Sequence, residues 1–274
     1  MENDSWVTGN IVLRINGEPV EMELTVPDFP VKPHRMLPVF QQMSSAVVDF
    51  CVRFVEAEGK EISCKAGCGA CCRQAVPISE IEAYQLAELV EEMPEPRQSV
   101  VKKRFTDALT HFTAIRWFDQ LINLKDMASA GDPDFSPENY ERVVTAYMQE
   151  DFACPFLEDE SCSIHDDRPL VCREYLVTSP AENCKSPTAE SISKVPIFMR
   201  PSKAILDVGR TQNMEGISSL MMIEALDFTE RNAENFADKT GKEWATDFFQ
   251  VLTKKQVPAT PVARARKRRK KRGK

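Results

Sequence analysis

Cys64-Lys65-Ala66-Gly67-Cys68-Gly69-Ala70-Cys71-Cys72 places four cysteines in nine residues, and Cys154, Cys162 and Cys172 answer it about eighty residues later. Seven of the nine cysteines fall in these two segments. That distribution suits soft ligands gathered around a metal better than thiols dispersed through a core. Gly67 and Gly69 let the backbone turn tightly around such a centre. The spacing runs Cys-x3-Cys-x2-Cys-Cys and then Cys-x7-Cys-x9-Cys, with Cys184 twelve residues after Cys172.

Thiolates favour zinc, Cu(I) and iron-sulfur clusters, and a folded site needs about four of them. Neighbouring side chains diverge by roughly 100° on a helix and point to opposite faces of a strand, so Cys71 and Cys72 do not readily serve one mononuclear ion. Either one of the pair is structural or the centre is polynuclear, and the adjacency favours an iron-sulfur cluster over a single zinc. Lys65, Arg73, Arg168 and Arg173 lie within a few residues of these cysteines. Cations there lower thiol pKa and offset thiolate charge. His165 follows Cys162 by three residues, but a histidine in a loop more often hydrogen-bonds or faces water than binds a metal, so it stands outside the expected ligand set. His34 and His111 have no comparable neighbours.

The rest of the chain of 274 residues, 42% hydrophobic and 28% charged, has the composition of an ordinary globular protein. It opens Met-Glu-Asn-Asp-Ser with no apolar stretch behind it, which reads as neither a secretory signal nor a transit peptide. A cytoplasmic setting is expected, where clustered thiols act as ligands or catalysts rather than as disulfides. Between Arg264 and Lys274 nine of eleven residues are basic, so the net charge of -7 divides into +9 there and -16 elsewhere.

The expected architecture is α+β and mainly helical, with an irregular cysteine-rich metal-binding core at 60–185. Residues 1–36 form an N-terminal β-hairpin and linker, 37–255 a helical domain, and 256–274 a disordered basic tail. Ile11, Leu13 and Ile15 alternate before Asn16-Gly17-Glu18-Pro19, and Val20, Met22, Leu24 and Val26 alternate after it. Pro30, Pro33 and Pro38 are expected to interrupt regular structure. An amphipathic helix follows from Val39 to Glu58, with Cys51 on its apolar stripe as a buried core thiol. Ser79 and Glu82 make a capping-box pattern for a helix through Met93. One long helix is expected from about Gln98 to Leu124, and another opens at Ser136-Pro137-Glu138. Three helices would thus separate the cysteine segments. Beyond the second segment, 195–199 and 204–208 read as short strands, 214–225 and 244–252 as helices, and Asp227 as a cap. Glu80, Glu82, Glu88, Glu91 and Glu92 read as a solvated helix face.

Cys68-Gly-Ala-Cys71-Cys72-Arg73, followed by Cys154-Pro-Phe-Leu and by Cys162-Ser-Ile-His-Asp-Asp-Arg168-Pro-Leu-Val-Cys172-Arg173, resembles the YkgJ-type cysteine-cluster family, a zinc- or iron-chelating domain. The resemblance covers about residues 60 to 185. It implies that Cys64, Cys68, Cys71, Cys72, Cys154, Cys162 and Cys172 bind zinc or an iron-sulfur cluster. The family's common form has two residues between the first cysteines, against three here. Flagellin lysine methylases are similar in carrying such a cluster, which makes a lysine methylase-like transferase an alternative reading.

Two further readings compete. Cys64, Cys68 and Cys71 have the Cys-x3-Cys-x2-Cys spacing of radical S-adenosylmethionine enzymes, but the chain lacks the alternation of strands and helices that their barrels need. The basic run offers a contact for nucleic acid or the ribosome, salt-sensitive and indifferent to sequence, though no aromatic residue within it stacks on bases. The sequence displays no phosphate loop, dinucleotide fingerprint or nucleophile-base pair, so no catalytic residue is named.

Overall fold

The computed structural model describes residues 5–188 and 190–254; the basic run between Arg264 and Lys274 lies outside the described residues. The fold is α+β and mainly helical. Strands β1 (Trp6–Ile15) and β2 (Glu18–Pro27) pair antiparallel through Asn16-Gly17, whose φ angles are 50° and 88°. Two left-handed residues match the twist of the strands, and they set Ile15 opposite Glu18. The alternation is read correctly: Leu13, Ile15, Leu24 and Val26 are buried on one face.

After β3 (Pro30–Val31), a 3-10 turn at Pro33–Met36 leads into α1 (Leu37–Ala57). Pro38 interrupts nothing, because it sits in the first helical turn where an N–H would have no helical acceptor. Phe40, Met43, Val47, Phe50 and Cys51 face inward from α1. Strand β4 (Pro77–Ile78) precedes α2 (Glu80–Glu91), whose capping box forms as expected. The Glu82 amide donates to Ser79 Oγ at 3.2 Å, and the Ser79 amide donates to Glu82 Oε2 at 2.8 Å.

The single helix expected from Gln98 to Leu124 is two, α3 (Arg97–Ala114) and α4 (Trp117–Ala130), parted at Arg116 with a left-handed φ of 57°. The step turns the chain so that Trp117 Nε1 donates to the Val143 carbonyl at 2.8 Å. Trp117 and Leu121 become buried, while Ile115 and Ile122 are exposed. With α5 (Pro137–Gln149), capped by Ser136, four helices rather than three separate the cysteine segments.

Strands β5 (Leu157–Glu158) and β6 (Ser161–Cys162) make a tight hairpin, and α6 (Leu170–Glu174) follows. Residues 195–199 are irregular, and 204–208 lie largely in α7 (Pro201–Asp207), which Pro201 opens instead of blocking. The stretch 214–225 is not a helix. It contains β7 (Leu220–Met221), which pairs with β4, and the Met222 amide donates to the Val76 carbonyl at 2.8 Å. Tertiary pairing claims those backbone groups, so α8 (Ala225–Arg231) begins late and Asp227 lies inside it rather than capping it. Strand β8 (Lys239–Thr240) pairs with β3, and α9 (Gly241–Thr253) ends the described chain.

The main core joins the inner hairpin face, α1, α7 and α9. Phe40 stacks on Phe248 with ring centroids 4.6 Å apart, and Trp244 Nε1 donates to the Val31 carbonyl at 3.0 Å. A second core lies between α2, α3 and α8, and a third between α3, α4 and α5.

Glu80 and Glu82 do not belong to a solvated face; each is 3% exposed. Glu80 accepts from Thr211 Oγ1 at 2.7 Å, the Thr211 amide at 3.1 Å and Asn213 Nδ2 at 3.2 Å. Glu82 Oε1 accepts the Leu170 amide at 2.8 Å. A carboxylate can be buried when donors fill its lone pairs. Here those donors come from distant backbone, so Glu82 pins α6, the carrier of Cys172, to the start of α2. Glu82→Ala leaves the Ser79 and Leu170 amides unpaired, each worth about 1–3 kcal/mol. Urea unfolding should show a loss of roughly 2–5 kcal/mol on that basis, with Glu82→Gln losing less.

His34 is buried between Glu88 and Glu234, its Nδ1 3.2 Å from Glu234 Oε1 but off the axis of a hydrogen bond. Burial holds its pKa below the ordinary value, against the pull of Glu234 and Glu88. A depressed histidine leaves stability intact above its unfolded pKa of about 6.5 and loses it as pH falls further. The unfolding midpoint of the wild type should therefore drop between about pH 6.5 and 5, and His34→Gln should flatten that drop.

Candidate metal centre

The first cysteine segment leaves α1 at Gly59 and runs irregularly to a 3-10 turn, Ala70–Arg73, that carries Cys71 and Cys72. Gly69 precedes the turn because nothing larger fits: a Cβ there would meet Glu160 Oε2 at 2.6 Å and Leu157 Cδ1 at 2.9 Å. The β5–β6 hairpin therefore lies directly against this backbone. The Cys154 amide donates to the Cys72 carbonyl at 2.7 Å, joining the two segments main chain to main chain. Arg73 adds a clamp, donating to Glu160 at 2.8 and 3.1 Å, to Asp151 at 3.2 Å and to the Gly69 carbonyl at 3.1 Å. Its charge is spent on carboxylates rather than on sulfur.

The thiols converge on Cys71. Burial pushes the Cys64, Cys154, Cys162, Cys172 and Cys184 thiols up, and each of the five also feels Cys71. Cys71 is raised first by its hydrogen bond with Cys72 and then by burial. Cys68 packs with Cys64 and Cys184 around Ala70 and Val177. Among the described residues, no three Cys, His, Asp or Glu side chains already form an ion-binding geometry; the sulfurs are gathered without being drawn into one coordination sphere.

Two buried donors beside the sulfurs have no partner, Arg168 Nε and Gln74 Nε2. The Arg168 charge acts on Cys64, Cys71, Cys162 and Cys172. Orphaned N–H groups and a guanidinium among thiols fit a group that carries negative sulfur, since donors to ligating sulfur stabilise and tune such centres. Arg173 flanks Cys162 and Cys172 and donates to the Arg168 carbonyl at 3.2 Å. Lys65 is exposed at the rim.

Cys51 lies apart, fully buried in the main core. His165 is exposed and sits 3.4 Å from Asp166, its neighbour in sequence. Cys184 is the residue that spacing alone did not bring in. It is 3% exposed, in a 3-10 turn at Ala181–Lys185 packed on the Ala70–Arg73 turn, and it bonds with the Tyr175 hydroxyl. One signal pointed to it: besides Cys51 on its apolar stripe, it is the remaining cysteine, and it lies in a polar stretch.

A groove of about 470 Å³ reaches the cluster from solvent, lined by Lys65, Cys68, Gly69, Arg73, Glu160 and Lys185 among others. A larger one, about 640 Å³, lies beside Trp244 and Arg210 and contains no cysteine. The smaller groove is the one with chemistry at its base.

A mainly helical protein that folds two loops together to collect eight thiols around a buried cation is, as a class, a chelator of thiophilic metal. Residues 63–191 match the CxxCxxCC family, described as a "Putative zinc- or iron-chelating domain", and over that stretch the chain belongs to this cysteine-cluster family. No curated protein and no solved structure matches the chain. Among the described residues, no helix is long and apolar enough to cross a membrane.

Gly69→Ala tests the close approach. The added methyl must push the β5–β6 hairpin away from the Ala70–Arg73 turn, an overpacking cost of about 1–3 kcal/mol. A lowered thermal midpoint and reduced metal content in the purified protein are expected together.

Proposed function

We propose that the protein holds zinc or iron through the thiolates of Cys64, Cys68, Cys71, Cys72, Cys154, Cys162 and Cys172. The observation that carries this reading is the convergence of both cysteine segments on Cys71 beside the unpartnered Arg168 Nε. Seven thiols exceed what one tetrahedral ion takes, and Cys71 and Cys72 share one short turn, which supports a polynuclear centre such as an iron-sulfur cluster. All nine cysteines are free, the state in which thiols bind metal in a reducing cytoplasm. Thiols must deprotonate to bind, so four of them on one Zn²⁺ release four protons and leave a net charge of -2. Arg168 is positioned to meet that charge.

Anaerobic purification followed by metal and acid-labile sulfide analysis tests the proposal. Stoichiometric iron with sulfide and broad visible absorbance identify a cluster, and stoichiometric zinc without colour identifies zinc. Protein lacking zinc, iron and sulfide sinks the reading.

A further inference from the structure

The thiols fall into two sets in space, and these are not the two sets in the sequence. Cys64, Cys68 and Cys184 pack together with Ala70, Val177 and Tyr175 in a small apolar cluster of their own. Cys154 and Cys162 pack instead against the second core, beside Phe156 and Ile164. Electrostatic proximity follows the same division. Cys184 feels Cys64, Cys71 and Cys68, whereas Cys154 feels Cys172, Cys162 and Cys71. Cys172 joins the latter set, feeling Cys71 and Cys162. The Cys71-Cys72 turn stands between the triads. Cys71 is felt from both sides, and the Cys72 carbonyl receives the Cys154 amide.

We propose that the cluster comprises two four-sulfur subsites, one built on Cys64, Cys68 and Cys184 and the other on Cys154, Cys162 and Cys172, with Cys71 and Cys72 supplying the fourth sulfur of each. Cys184 is thereby a ligand. The inference rests on the thiolate centre proposed above and adds its division and its eighth member. It resolves the adjacent pair: side chains that diverge cannot easily share one ion, but they can face two. It also suits the cations. Arg168 acts on Cys64 from the first triad, on Cys162 and Cys172 from the second, and on Cys71 between them. Lys65 and Lys185 line the groove on the side of Cys68, and Arg173 flanks Cys162 and Cys172. Each subsite takes one divalent ion, releases four thiol protons and carries a net -2, so a cation at the seam lowers the repulsion between them.

Anaerobic cobalt(II) titration of the reduced, metal-free full chain, read by sulfur-to-cobalt charge-transfer absorbance, tests this, with native mass spectrometry counting ions on the folded species. The wild type should take up two equivalents. Cys184→Ser and Cys162→Ser should each retain one, and the double variant none. A wild type saturating at one equivalent overturns the division even if a variant fails to fold, and Cys184→Ser still taking two overturns the ligand assignment. No cobalt uptake by the folded wild type would instead refute the thiolate centre itself.

Discussion

One main-chain hydrogen bond fixes the relation of everything that matters chemically: the Cys154 amide to the Cys72 carbonyl, at 2.7 Å. It involves no sulfur, so it does not depend on whether the thiols are protonated or ligated. It joins segments separated by four helices, and closing so long a loop costs entropy that the metal need not supply if the packing of those helices already has. Gly69 admits the hairpin to this contact and Arg73 holds it there. The site is thus assembled by backbone geometry and adjusted by its side chains, the reverse of a small metal domain that has no fold until the ion arrives.

Buried carboxylates carry the same logic outward. Glu80, Glu82 and Glu174 each accept hydrogen bonds from backbone amides far away in the chain: Thr211, Leu170 and Ser202. The region they tie down is irregular, with short turns where a sheet would otherwise satisfy its polar groups. Acids spaced along α2 and α6 substitute for that sheet. The cost is burial, which pushes Glu82 and Glu174 up from the usual carboxylate range, and the hydrogen bonds to their charged forms oppose it.

Features written in local chemistry were legible in the sequence. The Asn16-Gly17 turn, the Ser79 and Ser136 caps and the stripe of α1 each follow from a few neighbouring residues, and the structure has them where those residues stand. Features decided by a distant partner were not. Apolar periodicity runs through Arg116 because a single left-handed residue leaves no mark on the pattern, although Trp117 needs that turn to reach Val143. Residues 214–225 have helical spacing, yet β4 takes Leu220 and Met221 into a strand pair. Glu80 and Glu82 look solvated because their donors lie more than eighty residues away. At the candidate site, the seven clustered cysteines announced themselves by spacing. Cys184 did not, since only the packing of its turn on Ala70–Arg73 brings it to Cys64 and Cys68.

The electrostatics of the cluster also explain why an anionic occupant suits it. With its thiols protonated the pocket is nearly neutral sulfur against apolar side chains, and such thiols pack at little cost. The cations are less content. Arg168 keeps a buried N–H without an acceptor, a deficit of about 1–3 kcal/mol. Burial already pushes the Arg173 guanidinium down, and the like charge of Arg168 pushes it further. Thiolates on a metal reverse both penalties at once: they place acceptors beside the orphaned donors and negative charge between the two arginines. The features that disfavour the metal-free site are therefore those that favour filling it. Part of the binding free energy returns to the fold as relief of tension around residues 168 to 173, through which Glu82 and Leu170 couple the centre to the start of α2.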